Sequence, residues 1–300
     1  MSSPADVAVV PETAIGKARA RVWKKIAVYY LLTLAFSGVF DALVLNARNM
    51  MAANRLYVTG AMWSPALAAF ATKKLFGEPI RDLPWSFSAS RFAWMAYFIP
   101  LAYAAPVYIL VWLTGLGGFN FDFAKKAAAD FGLQNWSVVV FVILFVLITA
   151  TLGMVGTLSR AVGEEIGWRG FLVPELAKVV GFPGVALISG VMWAVYHYPA
   201  LIFGDYNAGT PVWYGLTCFT LMVIATSFIM AWITLRSNSL WPATILHAAH
   251  NLFIQAIFTP LTRDTGRTKY IIDEFGLGMV ITITIAAIII CRMPAPTRAT

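Results

Sequence analysis

The chain has 300 residues, of which 60% are hydrophobic and 12% charged, and its net charge is +8. A soluble domain carries about 25% charged residues, so these proportions exclude an ordinary water-soluble fold and point to the bilayer as solvent. The basic balance does not indicate nucleic acid: the cations fall between long apolar runs, and no basic stripe is interleaved with stacking aromatics.

Taken in chain order, the basic stretch Lys17, Arg19, Arg21, Lys24 and Lys25 leads into an apolar run from Ile26 to about Leu45. A helix needs about 20 residues to cross the hydrocarbon core. The run therefore reads as a first transmembrane helix rather than a cleavable signal, with residues 1–25 as a cytoplasmic N-terminal tail. Eight spans are predicted, over 26–45, 56–76, 92–114, 136–158, 181–201, 212–234, 239–258 and 275–291. Ser64-Pro65 predicts a kink in the second, and Pro242 falls in the tolerant first turn of the seventh. The segment 162–178 mixes Glu164, Glu165, Arg169, Glu175 and Lys178 with apolar residues, and reads as an amphipathic or partly embedded helix before span five.

The expected fold is an all-α, polytopic transmembrane helix bundle of about eight spans. One membrane domain covers 26–291, with a motif core at 160–255 and a C-terminal tail at 292–300. This layout puts fifteen of the 22 Lys and Arg residues on one side, which the positive-inside rule makes cytoplasmic, with both termini there. There is no internal repeat. Cys218 and Cys291 both lie in apolar runs and form neither a disulfide framework nor a CxxC knuckle.

Ionisable groups at membrane depth are costly and mark function by default. The three histidines, His197, His247 and His250, all lie in or beside spans in the second half. The Glu164-Glu165 pair opens the segment just before span five. On a helix Glu165 and Arg169 share a face, so Arg169 can tether one carboxylate while Glu164 points about 100° away. His247 and Asn251 are also four apart and share a face; an imidazole and a carboxamide so placed can converge on one carbonyl as oxyanion donors. His250, at the edge of that face, reads as a supporting or packing residue. Each pattern has a bland counterpart, such as an interfacial Glu–Arg pair or a buried histidine bonded to a carbonyl. HExxH, GxSG and an intramembrane aspartate pair are absent. Asp41 is the acidic residue well inside an apolar span, with no obvious partner in the sequence.

Three motifs occur in order: EExxxR at Glu164, Glu165 and Arg169; an FxxxH-like stretch from Trp193 to His197; and HxxxN at His247 and Asn251. Together with the context Glu-Glu-Ile-Gly-Trp-Arg-Gly-Phe at 164–171, this resembles the CPBP family, the CAAX proteases and bacteriocin-processing enzymes of the ABI domain. The departure is Trp193, where the family usually has Phe. The resemblance implies an intramembrane endopeptidase acting on a membrane-associated or lipid-modified protein or peptide, from a cavity open toward the cytoplasm. It implies Glu164 as general base, polarising a water with help from His197, with His247 and Asn251 as the oxyanion site, and Glu165 and Arg169 orienting Glu164. Zinc held by Glu164, His197 and His247 is a second scheme; the expectation leans to metal-free catalysis, because Asn251 is placed as a donor. Alternatives are a catalytically idle relative serving as an immunity or scaffold protein, and a small-solute transporter, which would spread its polar residues over several spans.

Overall fold

The computed structural model of the protein describes residues 12–46 and 55–294. The expected tail residues 1–11 and 295–300, and the loop cation Arg48, lie outside the described residues. Helices dominate because lipid offers no partner to a backbone N–H or C=O, and a helix satisfies both within itself. Helix α1 runs Glu12–Asn46, α2 Arg55–Leu75 and α3 Ser90–Thr114. The basic stretch before the first span is thus helical, and Lys25 is buried. A short strand β1 (Gly117–Phe119) and helix α4 (Phe121–Asp130) follow, the helix capped by the Asn120 side chain, which accepts from the Phe123 N–H at 3.0 Å.

The fourth predicted span is α5 (Val138–Thr151) and α6 (Gly153–Glu165), separated at Leu152. A wider π-helical segment, Ile166–Leu172, continues α6 into the short α7 (Val173–Ala177). The predicted 162–178 helix is therefore embedded: it continues span four and is buried over all of Gly163–Val173, with no solvated face there. Its charges are neutralised inside the protein instead. Helices α8 (Phe182–Phe203) and α9 (Val212–Ser237) pack side by side. Helix α10 (Trp241–His250) passes into a second π segment at Asn251–Phe258, followed by β2 (Thr262–Asp264), which pairs antiparallel with β1, and α11 (Leu277–Cys291).

Five helices among the described residues are long and apolar enough to cross a membrane: those within Gly16–Asn46, Ser90–Thr114, Val138–Ala177, Phe182–Phe203 and Val212–Ser237. Helix α11 is a shorter apolar helix, and α2 and α10 occupy the other predicted spans. Helix α10 can be less apolar because protein covers it: it packs on α3, α6 and α9. The large apolar side chains of α5, such as Val139, Ile143 and Leu147, face outward, as lipid contact requires.

At one end of the bundle, Lys25 lies 2.7 Å from Glu78 and 2.8 Å from Glu175. Lys73 reaches Glu78 at 3.1 Å, and Lys178 reaches Glu175 at 2.6 Å. Burial raises the proton affinity of Glu78, but its bonds from Lys25 and Lys73 outweigh that and hold its carboxyl below the ordinary value. The charge count assigned all these segments to the same side, and the ion pairs join them.

Candidate active site

The EExxxR motif lies where α6 turns into its π segment. A π turn widens the backbone and is frequent at functional positions. Two glycines let α2 press against it: a Cβ at Gly163 would fall 2.7 Å from the Trp63 ring, and one at Gly167 would fall 2.5 Å from Pro65. Nothing larger fits at either position.

Glu165 is fully buried and its Oε1 accepts two bonds, from Arg169 Nη1 at 2.9 Å and from His247 Nδ1 at 2.8 Å. Arg169 is buried as well, and its guanidinium lies 4.2 Å from the centre of the Trp193 ring, a cation–π contact. The Trp193 indole N–H donates to Glu164 Oε2 at 2.7 Å. Where phenylalanine would only fill space, tryptophan holds one oxygen of the free carboxylate. The tryptophan noted in the sequence thus makes a polar contact that a phenylalanine could not.

One turn beyond Trp193 on α8, His197 Nδ1 lies 2.9 Å from the Trp193 carbonyl oxygen. A carbonyl only accepts, so Nδ1 is the donor in this bond and Nε2 is the nitrogen it leaves unengaged. At His247, which lines the cavity, Nδ1 is the nitrogen that donates to the Glu165 carboxylate, and Nε2 is not engaged by it. Asn251 begins the second π segment.

Glu164, His197, His247 and Asn251 all line one cavity of about 250 Å³. The three motifs, 83 residues apart from Glu164 to His247 in the chain, therefore meet at one place. Apolar side chains, among them Val44, Val58, Met62, Met222 and Val223, complete much of its wall. Asp41 lines it too, with a buried Oδ2 that has no hydrogen-bond partner among the described residues.

No three His, Cys, Asp or Glu side chains among the described residues are grouped to hold a metal ion. The zinc set Glu164, His197 and His247 is not supported, because these side chains do not form such a group.

The motif reading missed Glu274, which also lines the cavity. It accepts from His250 Nε2 at 3.1 Å through Oε1 and from the Tyr206 hydroxyl through Oε2. Burial raises its proton affinity, but these donors outweigh it and hold the carboxyl below its ordinary value. The available signal was Asp273-Glu274, an acidic pair at the edge of an apolar span.

Comparison with known proteins matches the part of the chain that carries these residues. Residues 134–253 match the family described as Type II CAAX prenyl endopeptidase Rce1-like, a stretch that contains all three motifs. A curated relative, CAAX prenyl protease 2 of Methanococcus maripaludis, is 28% identical over 115 residues, covering 36% of this chain and 41% of that protein. The chain thus matches about two fifths of the length of that relative.

Proposed function

We propose, from the match of residues 134–253 to the Rce1-like CAAX prenyl endopeptidase family and the similarity to a curated CAAX prenyl protease, that this chain is an intramembrane endopeptidase using glutamate-activated water. The observation that carries the reading is the convergence of Glu164, His197, His247 and Asn251 on one cavity within a helical membrane bundle.

Glu164 takes a proton from water through the oxygen that Trp193 leaves free, while His197 holds the same water through its Nε2 lone pair. The water oxygen attacks the scissile carbonyl and the carbon–oxygen π pair moves onto oxygen. His247 Nε2 and the Asn251 carboxamide donate to that oxyanion. To donate from Nε2 while Nδ1–H is bonded to Glu165, His247 carries a proton on each nitrogen, and the adjacent carboxylate stabilises that charge. When the oxyanion collapses, the carbon–nitrogen bond breaks and Glu164 returns its proton to the leaving amine. Arg169 holds the Glu165 oxygen that meets His247, so it serves the oxyanion site more directly than it serves Glu164. That differs from the expectation that Glu165 and Arg169 orient Glu164; Trp193 supplies that contact.

The substrate class proposed is a protein ending in a prenylated C-a-a-X sequence. The apolar wall near Val44, Val58 and Met222 suits a lipid chain beside a peptide. The test is to incubate the purified protein in mixed micelles with a farnesylated peptide and identify products by mass spectrometry. Release of the C-terminal tripeptide supports the reading, and an intact peptide under conditions where the protein stays folded contradicts it.

A further inference from the structure

The cavity holds a second buried polar group that the proposed reaction does not use. The Tyr103 hydroxyl lies 2.7 Å from His250 Nδ1, His250 Nε2 donates to Glu274, and Glu274 accepts from the Tyr206 hydroxyl. The four residues form one unbroken chain across the bundle. Tyr103 comes from α3, Tyr206 from the turn after α8, His250 from the last residue of α10, and Glu274 from the turn before α11. A carboxylate only accepts, so Nε2 of His250 carries a proton and the ring orientation is fixed.

The turn that presents Glu274 is itself constrained. Asp273 has φ +65°, a left-handed conformation unfavourable for a non-glycine residue. Three bonds hold it there: its N–H donates to the Tyr108 hydroxyl at 3.2 Å, its Oδ2 accepts from Thr259 at 3.0 Å, and its Oδ1 accepts from the Glu274 N–H at 2.7 Å. Strain of this kind persists only where the surroundings over-determine it, and it gathers at functional sites. A buried carboxylate beside a strained residue is a costly way to hold a helix that apolar packing could hold alone.

His250 directly precedes Asn251, and Asn251 is where α10 widens into its π segment. The boundary between the two helix types sets the direction of the first π residue. We propose that Glu274, acting through His250, is a positioning residue that fixes this boundary and thereby aims the Asn251 carboxamide into the cavity. Tyr206 ties the same chain to His197, whose ring lies 6.4 Å from its own. The inference rests on the reading of Asn251 as an oxyanion donor.

A double-mutant cycle on cleavage of the farnesylated peptide tests it. Glu274→Ala lowers kcat about 10–100-fold with KM within about twofold, because a donor displaced by about 1 Å loses up to about 10²-fold. Glu274→Gln keeps an oxygen for His250 and recovers most of that loss. In an Asn251→Ala background, Glu274→Ala costs less than about twofold, since the group it aims is gone. Losses that multiply in the double variant, or a Glu274→Ala protein with wild-type kcat, overturn the proposal. If Glu274→Ala does not fold, Tyr103→Phe replaces it in the same cycle: a smaller kcat loss that vanishes in the Asn251→Ala background supports the proposal, and no loss or a multiplying loss overturns it. If Asn251→Ala alone has no effect, the oxyanion reading fails together with the inference. If Asn251→Ala is slow but uncoupled from Glu274, only the inference fails.

Discussion

The bond from Trp193 to Glu164 gives the sharpest consequence of the site geometry. Trp193→Phe removes the indole N–H and leaves an aromatic ring under Arg169. A hydrogen bond to a charged group contributes about 1.5–3 kcal/mol, and each 1.36 kcal/mol is about tenfold in rate. If all of that energy goes into holding the carboxylate in its reactive orientation, its loss slows the reaction about 10- to 150-fold. Glu164 faces the cavity, where water can take the place of the indole donor, so the expected loss lies at the low end, about tenfold in kcat with KM little changed. The weaker cation–π contact of a phenylalanine adds a small stability loss. Trp193→Ala is a poorer probe, because emptying a buried tryptophan costs about 3–5 kcal/mol in packing. The assay is steady-state cleavage of the farnesylated peptide, with melting temperatures measured in the same detergent. A Trp193→Phe protein that melts like wild type and cleaves as fast or faster would refute a positioning role for the indole.

Other outcomes follow from the same structure. Asn251→Ala lowers kcat about 10²–10³-fold with little change in KM, the pattern of a donor engaged only in the transition state; a matched rise in KM at constant kcat contradicts it. Glu78→Gln lowers the melting temperature by about 2–4 °C at pH 7, the shift given by ~1 kcal/mol in a protein of about this size. The Glu78 carboxyl titrates below its ordinary value of 4.5, so its contribution is present above that value and fades as pH falls through the folded-state value; the gap between variant and wild type then closes. A gap that is unchanged in acid contradicts the ion-pair account. A reporter active only outside the cytoplasm, fused after Thr300, gives no signal if both termini are cytoplasmic, and a strong signal rejects that topology.

The helical membrane fold was legible because hydropathy is a strong, local signal: each of the eight predicted spans falls on helix, although the fourth is divided between α5 and α6 at Leu152. What escaped was set by tertiary contact. The basic stretch from Lys17 to Lys25 reads as a tail until Lys25 is seen to pair with Glu78 and Glu175, which lie far off in the chain. The segment 162–178 reads as amphipathic because its charges look solvated in sequence; Arg169, Glu165 and His247 solvate one another. Helix spacing brought Glu165 to Arg169, but it could not reveal that Glu165 also receives His247, 82 residues on. Trp193 was visible as an aromatic beside a histidine, and only the structure shows its N–H directed at Glu164. Glu274 lay outside every motif, and its pairing with His250 depends on how α10 and the turn before α11 meet.

Glu164 is the centre of the account, and replacing one oxygen by an amide tests it with the least disturbance. Glu164→Gln keeps the side-chain shape and an acceptor for the Trp193 indole, so the protein should insert and melt like wild type. It cannot take a proton from water, and a positioned base contributes about 10²–10⁴-fold. The decisive measurement is the rate of tripeptide release from the farnesylated peptide by purified Glu164→Gln beside wild type. The account predicts a fall of at least about 10²-fold. A variant retaining more than about a tenth of the wild-type rate contradicts Glu164 as the base.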